Sequence, residues 1–93
     1  MEKFAKLVGL CKSLVSIEVN DHKNMYESVS EYMNGLGKQE ISEIDPDVLQ
    51  RMIDTDTIVC VQAYPDTPIG FYVIYHYDID LAVDAAIAAI EGA

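Results

Sequence analysis

A chain of 93 residues with 51% hydrophobic and 24% charged positions suits one small globular domain rather than a disordered segment or a multidomain enzyme. Its formal net charge of −10 disfavours direct contact with a phosphate backbone, and no apolar run approaches the roughly eighteen residues of a membrane span. The charge is uneven: residues 1–23 carry four lysines against three acids, whereas residues 24–93 carry thirteen acids against Lys38 and Arg51 alone.

The charged start is not followed by an apolar stretch with a small-residue cleavage site, so a cytoplasmic protein is expected. Phe4, Leu7, Val8, Cys11, Leu14 and Val15 recur at three- and four-residue steps with lysines and serines between them. That spacing predicts an amphipathic first helix with a basic stripe in water. Residues 14–19 (LVSIEV) also alternate with a period of two, which leaves the same stretch open to a short strand. Asn24 and Glu27 have capping-box spacing, and Met25, Tyr26, Val29, Tyr32, Met33 and Leu36 form a second helical stripe. Gly35 and Gly37 are expected to end it in the left-handed conformation. Residues 38–44 read as a linker. Asp45 followed by Pro46 predicts a cap with proline at the first helical position, opening a third helix with Val48, Leu49, Met52 and Ile53 inward.

Residues 57–64 (TIVCVQAY) and 69–77 (IGFYVIYHY) are β-branched and aromatic, with a proline-bounded turn between them, and predict an antiparallel β-hairpin. Both strands are apolar at nearly every position. Each face is therefore expected to be at least partly covered, one by helices and the other by another strand, a second subunit or a partner. Asp80 can cap a final alanine-rich helix over residues 81–91. The expected fold is a single α+β domain spanning residues 1–93: three N-terminal helices, a short strand allowed at 14–19, the hairpin and a C-terminal helix. Cys11 and Cys60 fall in apolar segments and read as buried thiols.

No arrangement of residues signals catalysis. The pairs Asp45/Asp47, Asp54/Asp56 and Asp78/Asp80, the last followed by Asp84, could present oxygen ligands, but each sits at an element end where capping accounts for it. None has the glycine and terminal glutamate of a calcium loop. His22 and His76 lack a histidine or cysteine at zinc-ligand spacing, and no Ser-His-Asp or Cys-His set can be assigned. Neither a metal, a cofactor nor an enzymatic activity is expected.

The residues expected to contact a partner are Glu40, Glu43, Asp45, Asp47, Asp54 and Asp56, the densest acidic cluster, with Tyr72, Tyr75, His76 and Tyr77 of the hairpin. Tyrosine supplies rigid area with a polar tip at interfaces. Alternation along the strand sets Phe71, Val73, Tyr75 and Tyr77 on one face and Tyr72, Ile74 and His76 on the other. The composition predicts a non-enzymatic acidic protein that mimics phosphate and engages a basic, nucleic-acid-binding surface of another protein. Inhibitors of the immunity, antitoxin or phage anti-defence type are of this kind. Direct nucleic-acid or membrane binding is not expected, and a homodimer is the alternative use of the doubly apolar strands.

The order of segments 14–19, 25–37, 45–53, 57–64 and 69–77, strand, two helices and hairpin, resembles the first half of the GNAT acetyltransferase fold. The segment TIVCVQAYPDTPIGFYVIY is similar to that superfamily's second and third strands. The resemblance ends at Tyr77: the remaining DIDLAVDAAIAAIEGA has no Gly-x-Gly and no basic residue, and so lacks the loop that holds the acetyl-CoA pyrophosphate. It implies a truncated acetyltransferase-like domain that binds a ligand or serves as a structural homo-oligomer.

Overall fold

The computed structural model describes residues 2–19, 26, 28–65 and 71–92. Within them α1 (Glu2–Gly9), β1 (Cys11–Val19), α2 (Val29–Gly35), α3 (Lys38–Ser42), α4 (Pro46–Thr55), β2 (Val59–Pro65), β3 (Tyr72–His76) and α5 (Ile79–Glu91) form an α+β fold. The three strands make one antiparallel sheet in the order β1-β2-β3, with β2 central.

The first helix stops well before Val15. Gly9 is a poor helix former, and the Leu10 N–H closes the last turn onto the carbonyls of Lys6 and Leu7. From Cys11 the period-two alternation prevails, because β1 pairs with β2: Val15, Ile17 and Val19 stand opposite Ala63, Val61 and Val59. Of the two readings left open for 14–19 the strand is the real one, and it starts earlier, at Cys11, with a register shift between Cys11 and Val15.

The second helix begins at Val29 rather than Met25. Ser28 is its cap, with extended backbone and a hydroxyl that accepts the Glu31 N–H at 3.2 Å. Ser28-x-x-Glu31 is the capping signature that sets this boundary; Asn24 and Glu27 lie outside the described residues. Leu36 ends the helix by turning extended, and neither Gly35 nor Gly37 is left-handed. Gly35 instead provides space, since a Cβ there would lie 3.1 Å from the Tyr26 hydroxyl. The expected linker contains α3, whose Glu40 carboxylate accepts the Gly37 N–H at 2.7 Å.

α4 starts as its sequence predicts, with Asp45 accepting the Asp47 N–H at 2.8 Å and Pro46 in the first turn. It ends at Asp56, in the left-handed region at φ 51°, which aspartate tolerates better than most residues. The Asp56 carboxylate accepts the Val29 N–H at 3.0 Å, so one side chain joins the end of α4 to the start of α2. Ile53, expected to point inward, is 40% exposed, while Met52 beside it is fully buried.

Two cores flank the sheet. On one face α1 and α5 cover Val59, Val61 and Ala63, with Val15, Ile17, Tyr72 and Ile74 beside them. Leu7, Val59, Val61 and Val83 are fully buried there, each contributing about 1.5–3 kcal/mol of burial. Ala82 and Ala86 expose nothing and let α5 sit close to the strands. The cap of α5 is Asp78, accepting the Leu81 N–H at 3.1 Å; Asp80 lies in the first turn instead. On the other face Val29, Met33, Ile44, Met52 and Ile58 pack with Tyr75 and Tyr77. This second layer covers only one end of the sheet and leaves Tyr64, Phe71 and Val73 exposed. Cys11 and Cys60 both remain thiols. Among the described residues no helix is long and apolar enough to cross a membrane.

Candidate functional site

The fold sorts the charge. Lys3 reaches Asp84 at 3.0 Å and Lys6 reaches Glu91 at 3.3 Å, so the basic stripe of α1 is spent on the acids of α5. These pairs are solvent-exposed and add little stability, but they offset Asp84 and Glu91 on that side of the molecule. Residues 28–56 on the opposite layer carry seven acids against Lys38 and Arg51. All seven acids, Glu31, Glu40, Glu43, Asp45, Asp47, Asp54 and Asp56, are exposed to water.

Beside this layer runs a groove of about 620 Å³. Glu40, Glu43, Ile44, Asp45 and Val48 form one wall, supplied by α3, the start of α4 and the turn between them. Gln62, Phe71, Val73 and Tyr75 form the floor on the sheet face that the helices leave partly open. Ile74, His76 and Ala85 also line it. Since Ile74 and His76 belong to the opposite face of β3, the groove wraps around the outer edge of that strand. Phe71 stacks on Tyr64 at 4.5 Å between ring centres, 26° from parallel, extending the aromatic surface across the hairpin.

Two ionisable groups of the groove are perturbed. Burial holds the Tyr75 hydroxyl well above its ordinary value, reinforced by Tyr32, with which it shares a hydrogen bond, and more weakly by Glu40. Tyr75 is therefore a neutral phenol. Burial lowers the pKa of His76, against the opposing pull of Asp78. Its Nδ1 accepts the Tyr77 N–H at 3.0 Å, which puts the ring proton on Nε2. NMR titration of the His76 ring is expected to give a midpoint below 6.5; a midpoint at or above that value would mean that the ring is not desolvated. Because the folded-state pKa is the lower one, protonation opposes folding. The corresponding stability is complete above about 6.5 and is lost as pH falls through the folded value.

Of the residues expected to meet a partner, Glu40, Glu43, Asp45, Tyr75 and His76 come together in the groove. Asp47 and Asp54 lie on the exposed stripe of α4. Asp56 is turned to the Val29 N–H, Tyr72 packs toward the α1/α5 core and Tyr77 toward the second core. Phe71, Val73 and Gln62 complete the floor. For the first two, parity with Tyr75 along the strand was the signal in the sequence; Gln62 is placed there by its pairing opposite Val73, which only the structure gives. Glu40 and Asp45 also hold backbone N–H groups, so part of the acidic wall doubles as helix capping. Compared with known protein families, characterised proteins and solved structures, the chain matches none.

Proposed function

We propose that the chain is a non-enzymatic acidic binding protein that engages a basic, nucleic-acid-binding surface of a partner protein, as inhibitors of the immunity, antitoxin or phage anti-defence type do. The observation that carries this reading is the adjacency of two unlike surfaces: the exposed carboxylates of Glu40, Glu43 and Asp45, and the open apolar floor of Phe71 and Val73 bordered by Tyr75. Carboxylates at a rim steer a cationic partner and set its orientation. Aromatic area at the centre supplies the anchor that charge alone does not.

Capture from lysate on the immobilised protein tests this reading. Basic, nucleic-acid-binding proteins are expected to be retained at about 50 mM salt and released at about 0.5 M, where screening shortens the reach of the rim charges. Failure to enrich any basic protein at low salt would contradict it.

A second reading is supported by the chain order, with β1, a helical stretch and then β2 and β3 in one antiparallel sheet. In it the chain is an acetyltransferase-like domain that retains ligand binding or assembles with itself. A thermal melt with acetyl-CoA separates the two, because a ligand bound only by the native state raises the melting temperature. Binding would give a rise that grows with concentration; an unchanged melt at millimolar acetyl-CoA removes the ligand-binding form of this reading.

A further inference from the structure

We infer that the outer edge of β3 is a docking rail on which an extended, basic segment of the partner adds to the sheet as a further strand. The inference rests on the basic-partner reading above and adds how that partner is held.

β3 is the terminal strand of the sheet, and among the described residues no strand pairs with its outer side. A terminal strand directs every second N–H and C=O outward, a template for another chain. Proteins usually blunt such an edge with lysine, proline or an inward charge. The five residues Tyr72, Val73, Ile74, Tyr75 and His76 include no proline, lysine, arginine or acid, and His76 is neutral near pH 7 because burial lowers its pKa. The groove lies along this edge and reaches both of its faces, so among the described residues the space an added strand needs is open.

The surroundings select the occupant. A second copy of this chain pairing edge to edge would bring two sets of Glu40, Glu43 and Asp45 to one seam, on bodies that each carry a formal −10. Like charges at that seam oppose self-pairing. A cationic strand meets the opposite situation. Its side chains alternate between faces: one set falls beside Phe71, Val73 and Tyr75 under the carboxylate wall, where lysine or arginine can lay its stem on the rings and its charge at the rim. The other set falls beside Ile74 and Ala85, where small apolar side chains fit. The recognised chemistry is an extended segment alternating basic and small apolar residues.

Fluorescence anisotropy with a labelled peptide of about seven alternating lysine and valine residues tests the inference, since that period matches the two faces of a strand. Two further peptides carry backbone N-methyl groups on all the lysines or on all the valines, and a control peptide replaces lysine by glutamate. In a strand, side-chain face and N–H direction alternate together, so only one of the two methylated sets can lie toward β3. The expected result is binding of the parent peptide and at least about tenfold loss for one methylated peptide, with the other retained. The glutamate peptide is expected not to bind. Equal binding of the parent and both methylated peptides overturns strand addition while leaving the acidic-surface reading intact. Equal weakening of both, or no binding by the parent, also overturns strand addition, and the capture experiment then decides the broader reading on its own.

Discussion

Changing Glu43, Asp47 and Asp54 together to lysine is expected to lower the association rate with a captured basic partner by at least about tenfold at low salt, with a much smaller effect at high salt. The three substitutions move the formal net charge from −10 to about −4, and all three positions are exposed. They are chosen because Glu40, Asp45 and Asp56 are tied to the backbone. Glu40 accepts the Gly37 N–H, Asp45 the Asp47 N–H and Asp56 the Val29 N–H, so reversing those would mix steering with lost caps. Among the described residues Asp54 accepts only from the exposed Gln50 side chain, at 2.8 Å, and Asp47 contributes about 0.3–1 kcal/mol through the helix dipole. The melting temperature should therefore fall by only a few degrees. Stopped-flow association across a salt series checks the result. An unchanged rate at low salt would mean that these acids do not steer the encounter.

The largest effect on stability is expected at Met52. Truncation to alanine should cost about 2–5 kcal/mol, because Met52 is fully buried between α4 and the rest of the second core and no neighbour can fill the gap without moving. For a domain of this size that is a fall in melting temperature of at least about 8 °C. Ile53→Ala, on the same helix but 40% exposed, is the internal comparison and should cost well under half as much. Chemical or thermal denaturation of the two variants side by side checks the pair. Equal costs would mean that the second layer does not dock through Met52. The functional link is direct, since the same layer carries Glu40, Glu43 and Asp45 to the sheet.

The elements legible in the sequence are those with a local signal. Asp45 followed by Pro46 fixes the start of α4 by chemistry internal to the helix, and the two apolar runs become β2 and β3, while the turn expected between them lies outside the described residues. The end of α1 was not legible in the same way. Cys11 and Val15 satisfy a helical period and a strand period equally, and pairing with β2, more than forty residues away, decides between them. Ser28 was hidden behind Asn24, an equally good capping residue a few positions earlier. Parity correctly grouped Phe71 and Val73 with Tyr75, but which hairpin face stays open is a property of the second layer. Residues 28–58 cover the Tyr75 and Tyr77 end and leave the Phe71 end uncovered, and nothing local to the hairpin encodes that choice. The charge asymmetry behaves similarly: only the folded chain shows that Lys3 and Lys6 pair with Asp84 and Glu91 of α5, so that neither lysine offsets the seven acids of residues 28–56.

The proposed competition is between the acidic groove and a nucleic acid for one basic surface. It is tested most directly by adding the protein to its captured partner already bound to a labelled oligonucleotide and following the label. The account predicts release of the oligonucleotide as the protein is titrated in, with the Glu43, Asp47 and Asp54 lysine variant much less effective. A stable ternary complex that keeps the oligonucleotide bound at saturating protein would contradict it.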